Sequence, residues 1–554
     1  MRYSKGPMLT IDVSEREVRE QSIDEELSSF IGGRGVATRL AHQRIPFDAD
    51  PYGPENRLFF ATGPLQMSQM SFTGRMNVTG LSPMTDGLAS SNAGGYLSRN
   101  FADTGYSVVE IVGESDELLA VHVSDDRIEF EHVPELDEAL VPEVTKYMAT
   151  EHDLESENLV TVGPAGDNLV RFASLMTYDS RAFGRGGFGA ALGAKNVKCI
   201  TFQGDSRPSL DLSKEAVTTV HRDAATSDDL MKRQGTAGST AFINDNFSLP
   251  TRYFEETTFE GASGIGGDAV EEKKYKKGSC SVCAFGCKLP TRDEESGVET
   301  EGPEFETIYA FGSSCAIDDI VSVMKSNQKC DLYGMDTVSA GVTVAAYLKS
   351  QDDFGNSDLI HKTLDKIAFR DGIGDQLAEG VARCHETLGV QNWTVKGLEF
   401  AGHDGRVLHG QGLSYAVANR GADHMYSVTL GQEYDGVLPP KDLSDEKVKL
   451  VVDQENRMAL RDSGIFCNFA EDYITDDQKE QLLDADIETL LDVGASIVEL
   501  ERHFNNRRGK DRSDDILPYD LPGFESALDS YYEVRGWDND GTVPGKSISQ
   551  YNKN

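Results

Sequence analysis

The chain of 554 residues has no run of about 18 consecutive apolar residues, so no membrane-spanning helix is expected. Its start, MRYSKGPMLTIDVSEREV, lacks the long apolar core of a secretory signal and reads as a first strand. A cytoplasmic location follows as the expectation. No internal repeat with a period of roughly 20–50 residues stands out, and no segment is of low complexity, which sets aside solenoids and arrays. Basic residues are scarce: 53 Lys plus Arg stand against 93 Asp plus Glu, a formal charge of −40. A nucleic-acid groove or an anionic lipid surface demands the opposite sign, so neither is expected as a partner. Disorder is not implied, because 38% of residues are hydrophobic and the apolar runs are spread along the chain. Self-repulsion at this charge is relieved by salt, so a halophilic, saline cytoplasm is the preferred reading of the acidity over an ordinary acidic enzyme.

What the chain does have is length enough for three to four domains at about 150 residues each. Residues 1–205 carry short β-like runs punctuated by Gly and Pro: NRLFFATGP, SVVEIVG, LLAVHV, LVTVGPAG and VKCITFQG. Near Asp205 the pattern turns helical, starting from a Pro-Ser turn at 208–209. Residues 206–395 read as a helical domain, with amphipathic spacing in 317–350, in DLIHKTLDKIAF and in GDQLAEGVARCHETLG. After a β-like stretch at 395–406, residues 396–554 read as a second helical domain, its clearest helix at 490–509.

Eight cysteines are present, three of them within eight residues: Cys280-x2-Cys283-x3-Cys287. Thiolates at this spacing suit an iron–sulfur cluster, with zinc or free structural thiols as alternatives. A four-iron cubane needs a fourth ligand, and Cys467 in RDSGIFCNFA is the candidate. Cys199, Cys315 and Cys384 read as small buried hydrophobes, and Cys330 has no assigned role.

Glycine-rich segments form a second group. GRGGFG (184–189) matches G-x-G-x-x-G, but YDSRAF before it does not read as a strand, and only about two helical turns fit before VKCITF. A dinucleotide fold is rejected, which leaves a nicotinamide dehydrogenase as the last of four functional options, one that failure to bind or reduce NAD would dispose of. Glycines still let amide groups approach an anion, and Arg181 and Arg185 flank this loop. GRMNVTGLSPMTDGLASSNAGGY supplies Arg75, Asn92, Gly94 and Gly95, and IGGRGVATRL supplies Arg34 between glycines. Three such segments in about 200 residues favour a large anionic cofactor over turn chemistry alone. In DLYGMD, Asp331 and Asp336 flank Gly334; from spacing alone, helix capping is the favoured role.

These residues together resemble the aldehyde ferredoxin oxidoreductases, a family of tungsten–bispterin enzymes with one four-iron cluster. The landmarks run almost end to end: GGRGVA, ATGPL, GRMNV with SNAGGY, VGPAGDN, RAFGRGGFGAALGAKN, the cysteine motif, EGPEFET, CDLYGMD, NRGADH, Cys467 and YYEVRGW. The resemblance implies an α+β protein with an N-terminal β-rich saddle that binds two pterins, followed by two mainly α-helical domains. It implies a tungsten (or molybdenum) bis-pterin, one [4Fe-4S] cluster on Cys280, Cys283, Cys287 and Cys467, and magnesium bridging the pterin phosphates at Asn92 and Ala182. Arg75, Asn92, Gly94, Gly95, Arg181, Ala182 and Gly184 would meet the phosphates. Asp331, Gly334, Asp336, Arg420 and Asp462 would hold the pterins. Asp462 to Cys467 keeps the family spacing, but Gly464 lies one position early.

The resemblance also implies the activity: oxidation of an aldehyde to a carboxylic acid with water as oxygen source, and ferredoxin as electron acceptor. Glu306 would be the general base and His424 the hydrogen-bond donor to the carbonyl oxygen. Glu304 would face away from Glu306 if the segment is extended. The alternatives are a tungsten- or molybdenum-pterin oxidoreductase for another substrate, or a non-catalytic iron–sulfur electron carrier. A Glu-x-x-His pair that holds an iron between subunits in some members is replaced here by Lys325 and Gln328, so no bridging iron is expected. The oligomeric state stays open.

Overall fold

The computed structural model describes residues 1–177, 180–208, 210, 212–549 and 551. Tyr178 and Asp179, at the head of YDSRAF, and Ser209 of the Pro-Ser turn lie outside the described residues. The chain is α+β, with two six-stranded sheets first and helices after them.

The first sheet holds β1 (Met8–Asp12), β2 (Glu17–Gln21), β3 (Leu58–Ala61), β4 (Met76–Leu81), β5 (Leu88–Ala93) and β6 (Val108–Val112), in the order β2-β1-β6-β3-β4-β5. The second holds β7 (Leu119–Ser124), β8 (Ile128–His132), β9 (Leu159–Thr161), β10 (Leu175–Thr177), β11 (Arg181–Phe183) and β12 (Val197–Gln203), in the order β11-β10-β9-β12-β7-β8. All pairings are antiparallel except β1 with β6 and β7 with β12. Alternate residues of the two sheets, such as Phe60, Val109 and Ile111 against Val121, Ile200 and Phe202, interleave in one apolar core. Edge strands β5 and β11 lie against each other, so the turns after Ala93 and Phe183 open on a common crevice.

β11 is a strand, contrary to the reading of YDSRAF, because a three-residue antiparallel pairing with β10 needs no apolar run of its own. The rejection of a dinucleotide fold is unaffected by this. The helix after GRGGFG spans only Phe188–Gly193, and β12 pairs with β7 and β9, not with β11. The glycines serve close packing: a Cβ on Gly187 would lie 2.1 Å from the Arg171 carbonyl oxygen, and one on Gly189 2.4 Å from that of Ser174.

Helical spacing within 317–350 gives two helices, Ile320–Tyr333 and Thr337–Gln351. GDQLAEGVARCHETLG is not one helix. It divides into Ile373–Leu377 and Val381–Leu388 at Gly380, whose φ of +79° no helix accommodates. The stretch 395–406 forms only the pair Thr394–Val395 and Leu398–Glu399, then a loop. In the last third, Asp445–Gly464 and Ile487–Arg507 are the long helices. Both pack on the helix Gly33–Arg44 of the first third. Among the described residues no helix is long and apolar enough to cross a membrane.

Candidate functional site

A cavity of about 320 Å3 lies where the three thirds of the chain meet. Its wall includes Arg75, Asn92, Arg181, Ala182, Gly184, Glu306, Asp331, Asp336, Arg420, His424 and Asp462. A groove of about 1610 Å3 shares Ser180, Glu301 and Asp331 with it and runs past Cys283.

The N-terminal wall is the meeting of β5 and β11. Arg75 Nη2 donates to the Asn92 carbonyl oxygen at 3.0 Å, which ties the start of β4 to the end of β5. Arg181 Nη2 bonds Glu301 Oε1 at 2.5 Å. Burial opposes its charge, but Glu301, Cys280 and Glu304 outweigh that and raise its pKa. A Cβ on Gly184 would meet nothing within 4 Å, so the backbone there faces open space. Gly94 and Gly95 lie behind this wall, against the cysteine motif. A Cβ on Gly94 would come 3.3 Å from Cys280 Sγ, and the Gly95 carbonyl accepts from Ser281 N–H at 3.0 Å.

Two glycine-loop arginines do not serve the cavity as the sequence suggested. Arg34 is 1% exposed and binds Glu501 in bidentate fashion at 2.8 Å, with Asp462 at 3.5 Å. Its flanking glycines allow close approach to the turn at 462–465: a Cβ on Gly33 would lie 2.2 Å from the Asp462 carbonyl oxygen. Arg185 does line the cavity, but its donors go to Asp336, Asp423 and the carbonyls of Glu399 and Ala422.

Asp336 caps the helix Thr337–Gln351, accepting from Val338 and Ser339 N–H at 3.2 and 3.3 Å, which agrees with the capping reading. Asp331 accepts from Asn327 at 2.9 Å and Thr300 at 3.2 Å. Gly334 takes the left-handed conformation that ends the first helix, with φ of +72°. This junction is docked on the N-terminal sheets by backbone bonds, Ser174 N–H to Gly334 O and Asp336 N–H to Phe172 O, both 2.9 Å.

In the matching turn at 462–467 the early glycine has a physical consequence. Gly464 stays helical, and Ile465 takes φ of +60°, a costly state for a β-branched residue. Its buried side chain is held at Gly63, whose Cβ, if present, would overlap it at 2.6 Å. Cys467 follows, its N–H bonded to Phe72 O at 2.8 Å. Cys283 and Cys287 each lie within electrostatic reach of both Cys280 and Cys467, so the four thiols converge beside the cavity. Burial raises the pKa of Cys283 and Cys287, and a bound cation would favour their thiolate forms.

Glu306 and His424 face each other, Oε1 to Nε2 at 3.6 Å. Glu306 lies in the first turn of the helix Phe305–Phe311, and its Oε2 accepts from Gly402 N–H at 2.8 Å. Burial raises its pKa, against the opposing pull of His424, the Gly402 amide and Arg185. The segment is not extended through Glu306: the chain turns helical after Glu304. Both glutamates therefore line the cavity, and Glu304 bonds Thr236 at 2.5 Å.

One residue escaped the sequence reading. His403 Nε2 lies 3.8 Å from Glu306 Oε1, its ring 5.4 Å from that of His424, and burial holds its pKa well below the usual imidazole value. Its signal, GHDG within a β-like stretch, carries no motif. Asp423 anchors the loop of His424: it bonds Arg420 at 2.5 Å and Met425 N–H at 2.6 Å.

Among the described residues, several polar atoms are buried here with no hydrogen-bond partner: Arg181 Nε, Arg420 Nε, Glu301 Oε2, Glu306 Oε1 and His424 Nδ1. Such a concentration is costly unless a polar ligand meets it. The guanidinium groups and open Gly184 backbone fit phosphate-bearing groups, and the four thiols fit an iron–sulfur cluster.

Comparison with known proteins agrees with this arrangement. Residues 8–204 match the aldehyde ferredoxin oxidoreductase N-terminal domain, and residues 211–552 match domains 2 and 3 of the same family. The tungsten-containing aldehyde ferredoxin oxidoreductase of Thermococcus kodakarensis is 33% identical, with 98% of each chain covered. That of Pyrococcus furiosus is 32% identical at the same coverage. A second Pyrococcus furiosus protein, the WOR-like subunit of an aliphatic sulfonate oxidoreductase, is 25% identical over 84% of this chain and 79% of its own. In fold, the active-site complex BamBC of benzoyl coenzyme A reductase, solved with 1,5-dienoyl-CoA, superposes with a TM-score of 0.83 at 21% identity. It covers 100% of this chain and 97% of that one. With both halves matched and the spacing of its motifs kept in one cavity, this chain belongs to the aldehyde ferredoxin oxidoreductase family of oxidoreductases.

Proposed function

We propose that the protein is a tungsten–pterin oxidoreductase that converts aldehydes to carboxylic acids and delivers the electrons through a [4Fe-4S] cluster to ferredoxin. The observation that carries this reading is the single cavity in which Glu306 and His424 face the phosphate-type residues of β4, β5 and β11, beside four converging thiols. Arg75, Asn92, Gly94, Gly95, Arg181, Ala182 and Gly184 would hold the phosphates of a bis-pterin, with magnesium at Asn92 and Ala182. Asp331, Gly334, Asp336, Arg420 and Asp462 would hold its rings, and Cys280, Cys283, Cys287 and Cys467 the cluster. Bound tungsten, or molybdenum, supplies two-electron redox chemistry and Lewis acidity.

The chain's residues supply the rest. The balance is one aldehyde plus one water giving one acid, two electrons and two protons. Glu306 accepts a proton as water adds to the carbonyl carbon, its Oε1 free of other hydrogen bonds among the described residues. His424 donates to the carbonyl oxygen and fixes the substrate next to that carboxylate. The Gly402 amide holds the other carboxylate oxygen, so Glu306 keeps one orientation. Neutral His403 packs behind both.

Elemental mass spectrometry on protein purified without oxygen from tungstate-supplied cells tests the cofactor set. About four irons and one tungsten per chain, with aldehyde-dependent ferredoxin reduction, is the expected result. Iron without tungsten or molybdenum would leave only the electron-carrier reading. Metal-loaded protein inert to aldehydes but active on a sulfonate or a thioester would move the substrate to the second reading, which the 25%-identical sulfonate oxidoreductase relative favours.

A further inference from the structure

On the second sheet, away from the cavity, two imidazoles and a carboxylate converge with no role in the chemistry above. His122 on β7 and Glu131 on β8 share one face of the hairpin, because Ala120 pairs with Glu131 and His122 lies two residues on. His152 is the last residue of the helix Val141–His152, which packs on that face through Val144 and Met148. Glu131 Oε2 stands 3.0 Å from His122 Nε2 and 2.9 Å from His152 Nε2. The two rings lie 4.5 Å apart, and the three ligand atoms all fall within 4.8 Å of one another.

Two donors bound to one cation at about 2.0–2.1 Å, with bond angles of about 90–110°, are themselves about 2.9–3.4 Å apart. The nitrogen–oxygen edges here already have that length. The outer contacts are also those of a metal site. Thr201 Oγ1 lies 2.9 Å from His122 Nδ1, and Tyr147 donates to the remaining Glu131 oxygen at 2.9 Å. The side chains keep 15–30% of their surface exposed, so an ion can enter from solvent.

We propose that His122, Glu131 and His152 form a binding site for a divalent transition-metal cation of the zinc type, with its remaining positions filled by water. Two nitrogens and one carboxylate oxygen are a donor set for zinc and unsuited to magnesium or calcium, which take oxygen. The ion would pin the β7–β8 hairpin to the C-terminal end of the helix, adding to the Tyr147–Glu131 hydrogen bond and the apolar contacts of Val144 and Met148 that already join them.

Equilibrium dialysis of the full-length holoenzyme against Zn2+, with excess Mg2+ to cover surface carboxylates, tests the site. His122→Ala and His152→Ala are compared with the wild type, each checked by circular dichroism. His152 ends its helix at the surface, so its variant carries the test if His122→Ala fails to fold. The wild type is expected to bind one more equivalent than either variant, with affinity at that site falling at least tenfold. Zinc should raise the melting temperature of the wild type and leave that of the variants unchanged. Equal stoichiometry and affinity in all three proteins would overturn the proposal, as the three side chains would then be only a hydrogen-bonded network. Aldehyde oxidation should be unaltered in His152→Ala.

Discussion

At the scale of single residues the proposed chemistry rests on Glu306. Its carboxyl is pushed above the ordinary carboxylate range by burial, so the basic form is reached only as pH climbs past that raised value. The turnover rate is therefore expected to rise with pH through a value above the usual glutamate pKa. In Glu306→Gln it should fall about 10²- to 10⁴-fold with that limb of the profile gone; steady-state kinetics of metal-loaded enzyme read both. The same shift has a sign for stability. A carboxyl whose pKa is raised on folding favours the folded state below its unfolded value, and that contribution is lost as pH rises through the folded one. Glu306→Gln should thus melt no lower than wild type at pH 8, and its advantage should shrink towards pH 5. A variant that is less stable at pH 8 than at pH 5, relative to wild type, contradicts the assignment of a buried, reluctant carboxylate. Of the residues in this pocket, Glu306 and His424 were legible because each sits in a distinctive motif. His403 was not, because a histidine acquires meaning only from neighbours, and its neighbours are about 100 residues earlier and 20 later in the chain.

Elements set the cavity's shape through two glycine contacts. Gly163, in the turn before Pro164, comes so close to the helix junction at Gly334 that a Cβ would lie 2.4 Å from the Tyr333 carbonyl oxygen. Backbone cannot yield as a flexible side chain does. Gly163→Ala is expected to cost about 1–3 kcal/mol or more and to displace Asp331 and Asp336 together. Thermal unfolding and tungsten content per chain should both fall; unchanged metal content would show that the junction does not hold the cofactor. The capping role of Asp336 was readable from the sequence because a cap is local, set by residues two and three positions on. The part played by GGRGVA was not. Its glycines look like a phosphate loop, yet Gly33 and Gly35 admit the Asp462–Ile465 turn, and no local pattern announces a contact across more than 400 residues.

Arg34 and Glu501 extend that contact to the whole molecule. The pair is buried, each side chain 1% exposed, and it joins the helix Gly33–Arg44 to the helix Ile487–Arg507. Removing one partner strands the other, so Arg34→Met should destabilise by about 3–5 kcal/mol, measured by chemical unfolding. Arg34→Met with Glu501→Leu should recover much of that loss.

The net charge of −40 acts at this scale too. Melting temperature is expected to rise from low salt to molar KCl as self-repulsion is screened; a fall would contradict the halophilic reading. Net charge alone also argues that docking of an acidic ferredoxin improves with salt. The structure adds a local counterweight, since Lys276 and Lys277 are exposed just before Cys280. Reversing both to glutamate should raise the KM for ferredoxin while leaving that for a small neutral dye unchanged.

The cavity wall begins at Arg75 and is not complete until Asn468. The ribosome adds about 5–20 residues per second, so the sheets that supply Arg181 emerge about 15–55 seconds before the turn that closes over them. Throughout that interval the molecule is half a vessel, with cationic edges turned towards water. A cofactor that touches both sides of this wall therefore meets its full set of contacts only once the last third of the chain has been made.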